Sequence, residues 1–213
     1  MQLQYRNQTR HEEIINAATH GIGLLLAIIA IPFLFFKASV KNNELVMLSV
    51  STFAFGVIAV YLCSTLYHFI SNPVLKRKAN IADHISIFFL IGGTYTPIIL
   101  LYTNATLSFI FLSVQWSIIA IGVVLKIFFT GRYNGVSLAL YILLGWMLIF
   151  IIKPVFHAMP YNIFFWIIAG GISYSAGTIF FRLDNRKHAH NIWHCFVLAG
   201  TIFHFIAIYK SIG

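Results

Sequence analysis

The stretch "HAHNIWHCF", residues 188–196, opens an apolar run at 190–209 that is long enough to cross a bilayer. A spanning helix needs about 20 apolar residues. Polar groups without partners are costly in hydrocarbon. Two of these histidines, His190 and His194, are four residues apart, so a helix presents them on one face. Read as the start of a membrane helix, the stretch requires a partner for its imidazoles elsewhere in the chain.

The composition agrees with a membrane setting. Of 213 residues, 60% are hydrophobic and 9% charged, against about 25% charged in a soluble domain. This excludes a sizeable soluble domain and predicts one unit over 1–213. Seven apolar runs are long enough to span, near 15–36, 45–70, 81–102, 105–126, 134–153, 161–181 and 190–209. Polar breaks such as "KASVKNNE" (37–44), "SNPVLKRKAN" (71–80) and "FRLDNRKHAH" (181–190) separate them. The expected fold is an all-α, seven-transmembrane helix bundle. The N-terminus carries acids as well as bases, and its first apolar run is too long for a signal-peptide core, so it is expected to be retained.

A net charge of +9 can indicate nucleic acid, but here the bases sit in short loops, where they encode topology. No nucleic-acid partner is expected. Ten bases (Arg6, Arg10, Lys76, Arg77, Lys78, Lys126, Arg132, Arg182, Arg186 and Lys187) fall on one side of the seven-span arrangement, and Lys37, Lys41, Lys153 and Lys210 on the other. The positive-inside rule then places the N-terminus in the cytoplasm and the C-terminus outside. Cys63 and Cys195 are too few for a disulfide framework and read as small core thiols.

Four polar clusters sit at span ends. They are "EEIINAATHGIG" (12–23) with Glu13, Asn16 and His20, "CSTLYH" (63–68) with Ser64 and His68, "ADH" (82–84) with Asp83 and His84, and the opening stretch itself. A seven-span path puts all four at the same depth, on the side of the N-terminus. His68, His190 and His194 can then meet. Three neutral imidazoles plus water form a catalytic zinc arrangement. Asp83 reads either as a fourth ligand or as the partner of a zinc-bound water. Glu13, Asn16 and His20 read either as supports of the ligands or as an ordinary polar helix start. His11, His157, His188 and His204 read as hydrogen-bonded interfacial side chains, and His204 as lying on another face from His194. "GGTYTP" (92–97) and "AGGISYSAG" (169–177) are expected to serve close helix packing, and Pro97 to kink its helix.

The fragments "EEIINAATHGIG", "STLYH", "ADH", "GGTYTP" and "HNIWH", in this order across nearly the whole chain, resemble the hemolysin III family, the bacterial branch of the progestin and adipoQ receptor superfamily. The wider group takes in alkaline ceramidases and shares a seven-helix fold with an intramembrane zinc. The resemblance implies zinc ligands at His68, His190 and His194, a motif serine at Ser64 and a motif aspartate at Asp83. It implies a multi-pass protein of the bacterial plasma membrane whose partners are membrane lipids. The short N-terminal region lacks the long extension of the animal receptors. Three functions compete: a zinc-dependent hydrolase of lipid amides or esters, using Asp83 and Ser64; a non-catalytic sensor of membrane state with structural zinc; and a cytolytic protein, as the family name suggests. The third lacks the row of charged span positions of an ion pathway and lacks a secretion signal.

Overall fold

The computed structural model describes residues 8–213; Arg6, counted above for topology, lies outside the described residues. The chain forms α1 (Arg10–Val40), α2 (Glu44–Phe69), α3 (Pro73–Tyr102), α4 (Ala105–Phe129), α5 (Asn134–Gly145), a 3-10 turn (Met147–Ile151), α6 (Ile152–Ala158), α7 (Tyr161–Arg182) and α8 (Ala189–Ser211). No strand occurs among the described residues. The stretch α5 to α6 makes one span, so seven spans result, all long and apolar enough to cross a membrane.

The helices run beyond the apolar runs, because their ends are set by caps rather than by hydropathy. Thr9 caps α1 in a reciprocal capping box with Glu12. The α3 start moves eight residues back from the expected 81, to Pro73. Asn72 accepts from the Val74 and Leu75 amides, and proline at the first position lacks a hydrogen that would need a partner. "LKRKAN" is therefore the first turns of a helix and not a loop. Lys126 and Lys37, counted above as loop residues, also lie inside helices. Lys126 is buried in α4. Lys37 donates to the Tyr209 carbonyl at 2.8 Å and covers the Tyr209 ring. Removing both leaves the sign of the charge asymmetry unchanged.

Small residues set the closest approaches. A Cβ on Gly93 would stand 2.5 Å from the Thr52 carbonyl oxygen, and one on Gly56 2.5 Å from that of Phe89. α2 and α3 therefore pack backbone to backbone, as expected of "GGTYTP". In "AGGISYSAG", Gly170 seats the His204 ring and Gly177 seats Trp193 and Phe196, joining α7 to α8. α3 continues as helix through Pro97 to Tyr102.

The fifth span, expected as one helix, breaks at Trp146. A break frees backbone groups that hydrocarbon cannot satisfy. Tyr95 supplies the partners: its hydroxyl donates to the Gly145 carbonyl at 2.7 Å and accepts from the Leu148 amide at 3.1 Å. Trp146 then donates to the Ser175 hydroxyl at 2.9 Å, tying the break to α7.

Candidate metal centre

His68 ends α2, and His190 and His194 open α8, so all three lie at the end of the bundle where α1 begins. One nitrogen from each lies within 4.8 Å of the other two. The ring centroids stand 5.2, 5.0 and 4.7 Å apart for 68–190, 68–194 and 190–194.

α1 holds His68 in place. Glu12 and Glu13 are adjacent, about 100° apart around the helix, and take separate tasks. Glu12 is buried, closes the cap with Thr9 and accepts from the His188 amide at 2.9 Å. Glu13 turns to α2, where its carboxylate meets His68 Nδ1 at 2.7 Å. Its other oxygen pairs with Lys76 at 2.9 Å, and Lys76 also donates to the Tyr67 carbonyl at 3.0 Å. A carboxylate only accepts, so the proton sits on Nδ1 and the lone pair on His68 Nε2, which is buried without a hydrogen-bond partner. Leaving such an atom unpaired costs about 1–3 kcal/mol. A metal ion satisfies it, and the carboxylate behind the imidazole is the arrangement that orients metal-bound histidine.

His190 has a similar backing. Asp184 Oδ1 lies 3.2 Å from its Nδ1, an ion-pair distance without hydrogen-bond alignment. His194 is buried, with Nδ1 also lacking a partner. The donor set is three imidazoles on two helices, His68 and His194 buried and His190 half-buried, with carboxylates beside His68 and His190. It fits a metal ion held by neutral nitrogens with a position left for an outside ligand.

The α7–α8 turn that presents His190 is fixed by polar links to α1. His188 adopts a left-handed backbone, φ 60°, and its Nδ1 meets Asn191 Oδ1 at 2.9 Å. Asn191 Nδ2 donates to the Glu12 carbonyl at 3.2 Å and to Asn16 Oδ1. Asn16 in turn donates to Gln8 Oε1 at 2.5 Å, and Gln8 Nε2 donates to Asp184 Oδ1 at 3.3 Å.

The expected site residues thus separate. Glu13 supports a ligand directly. Asn16 ties helices together and touches no ligand through these bonds. His20 stacks face to face on His194 at 3.6 Å, with both its nitrogens buried and unpartnered. Ser64 faces the Asp83 carboxylate, and both line one cavity with His190 and His194. Asp83 stands outside the set of converging ligand atoms. His84 is bound elsewhere, with Nδ1 donating to the Asn80 carbonyl at 2.8 Å.

Two expectations need correction. His204 is neither interfacial nor turned away: it is buried, donates from Nε2 to the Ile167 carbonyl at 3.1 Å, and lines the same cavity. It lies fourteen residues past His190, about 40° from the same face. Cys195 is exposed rather than a core thiol, and Cys63 is half-buried. The sequence reading missed the supports Asp184, Gln8, Asn191 and Lys76, and the buried Lys126 whose charge acts on Asp83. Asp184 had one signal, being the single acid in a loop of bases.

The cavity has a volume of about 590 Å³. His190, His194, Asp83 and Ser64 lie at one end. Ile87, Leu90, Ile91 and Val197 form walls beyond them, and His204 and Trp146 line its deeper part.

A family model described as Haemolysin-III related matches residues 8–205. Hemolysin-3 of Bacillus cereus is 38% identical over 197 residues, covering 92% of this chain and 90% of that protein. The Hemolysin-3 homolog of Bacillus subtilis is 40% identical over 200 residues, 94% of each. The human monocyte to macrophage differentiation factor is 23% identical over 208 residues, covering 95% of this chain and 85% of its own. With the family model matched across nearly every span, including both helices that carry the three clustered histidines, the chain belongs to the Haemolysin-III related family.

Proposed function

We propose that this protein is a zinc-dependent hydrolase of ester or amide bonds in membrane lipids, resident in the bacterial plasma membrane with its N-terminus in the cytoplasm. One observation carries this reading: His190 and His194 of the three-histidine cluster line a cavity of about 590 Å³ whose remaining wall is largely apolar. A purely structural metal site is better served by a closed, dry shell.

Zinc is the ion that suits three neutral imidazoles, and when bound it polarises a carbonyl and brings the pKa of a water toward about 7. The protein's own groups do the rest. Glu13 fixes the ring orientation of His68, and the Asp184 carboxylate stands beside His190 Nδ1. Asp83, in the cavity wall, accepts the proton of the attacking water and returns it to the leaving group. Ser64 donates its hydroxyl hydrogen to the Asp83 carboxylate and so orients it in the cavity wall. The apolar walls hold the lipid chain and exclude bulk water.

The test is Asp83→Asn, which keeps the shape but is a far poorer base. Zinc measured by mass spectrometry should remain, while lipid turnover should fall by about 10²–10⁴. Asp83→Asn protein with full zinc and full turnover would rule out Asp83 as the base. A second reading, a sensor of membrane state with structural zinc, has one observation in its favour: α2 and α8 supply all three ligands, while α1 packs against both. A metal there staples two spans. On that reading Asp83→Asn alters zinc retention and stability together, with no separate loss of turnover.

A further inference from the structure

We infer that the cavity takes a lipid with an anionic phosphate headgroup, held at the mouth by Arg77. This rests on the reading of the cavity as the lipid site and names the class of lipid.

The mouth is built by the first turns of α3, which are helix and so hold their side chains at fixed positions. Arg77, Asn80, Asp83 and His84 all line the cavity in descending order from its rim. Arg77 is exposed, while Asp83 is six residues deeper, about 9 Å along the axis. In a glycerophospholipid the acyl ester lies a few bonds from the phosphate. A phosphate on the long Arg77 side chain therefore sets the ester near Asp83 and the histidines, with the acyl chain in the apolar part.

The charge at the mouth is unbalanced. The chain has five acids. Four lie at this end of the bundle, and each is engaged: Glu12 in the cap and at His188, Glu13 with His68 and Lys76, Asp83 with Ser64, and Asp184 with His190 and Gln8. The fifth, Glu44, opens α2 at the other end. No acid neutralises Arg77 among the described residues, and exposed Lys78 adds to the same charge. Val74 and Leu75 beside it are exposed and apolar, as at a headgroup boundary. A planar guanidinium suits bidentate contact with phosphate.

The test is native mass spectrometry of the purified, zinc-loaded protein in detergent with dioleoylphosphatidylglycerol or dioleoylglycerol. The two lipids share chains and ester bonds and differ in the phosphate headgroup. Phosphatidylglycerol should bind about tenfold more tightly. Arg77→Gln should abolish that preference. Arg77 is exposed at a helix start, so the fold should tolerate the change. Arg186→Gln, an equally exposed base outside the cavity, should keep it. Equal loss in both variants would mean adsorption to any surface cation, and would overturn the proposal. So would displacement of the lipid by an equal concentration of inorganic phosphate, which would mark a free-anion site. No turnover is read, so a failed hydrolase reading shows in the Asp83→Asn assay and not here.

Discussion

Glu13 offers the sharpest test of the metal centre, because its contribution separates from that of Glu12 beside it. The Glu13 carboxylate accepts from His68 Nδ1 at 2.7 Å and pairs with Lys76 at 2.9 Å, with its side chain 19% exposed. A hydrogen bond to a charged group contributes about 1.5–3 kcal/mol, and a neutral one about 0.5–1.5. Glu13→Gln keeps an acceptor at Nδ1 but loses the charge, a difference of about 1–1.5 kcal/mol, or roughly tenfold in zinc affinity. Glu13→Ala leaves the Nδ1 hydrogen unpaired and the ring free to turn, so the loss should approach 100-fold. Glu12→Gln weakens the cap of α1 but keeps an amide oxygen to accept from the His188 amide and leaves His68 untouched, so zinc affinity should stay within about twofold. The assay is competition between each purified variant and a zinc chelator of known affinity. The expected order is wild type and Glu12→Gln together, then Glu13→Gln, then Glu13→Ala. Wild-type affinity in Glu13→Ala would show that His68 is not a ligand through Nε2, and the assembly of the site would have to be abandoned.

Replacing any one of His68, His190 and His194 with alanine should remove most of the zinc and lower thermal stability, since a metal bound only by the folded state stabilises it; stoichiometric zinc in a His68→Ala/His194→Ala double variant refutes the assignment. Gly93→Ala should push α2 from α3 and cost about 1–3 kcal/mol, because its Cβ would meet the Thr52 carbonyl at 2.5 Å. Gly21→Ala, whose nearest contact would be 3.8 Å, serves as the tolerated control in the same thermal scan. Tyr95→Phe leaves the Gly145 carbonyl and Leu148 amide without partners and should lower the melting temperature by roughly 5 °C or more. A reporter fused after Gly213 should read as extracytoplasmic; a cytoplasmic signal from an inserted fusion would reverse the proposed orientation.

The parts of this fold that were legible in the sequence are those that depend on one periodic property. Apolar length gave seven spans, and the four-residue spacing of His190 and His194 put them on one face. The seven-span path then carried His68 to the same depth, because an even number of crossings returns the chain to the same side. What stayed hidden depends on which way a single side chain turns. Nothing in "EE" says that Glu12 closes a cap while Glu13 reaches α2, since both residues suit a helix start. Asp184 was read only as part of a loop, because its partners Gln8 and His190 are distant in sequence on one side and across a left-handed turn on the other. The break at Trp146 was invisible for the same reason. "YILLGWMLIF" is apolar enough to continue as helix, and it stops where Tyr95, fifty residues away, provides the hydrogen bonds that make stopping tolerable. His204 was misplaced by comparing it with His194 alone. Measured from His190 it shares the ligand face, and the cavity runs along that face. Spacing within a helix therefore locates the histidine cluster, but the shape of the cavity beside it follows from partners supplied by other helices.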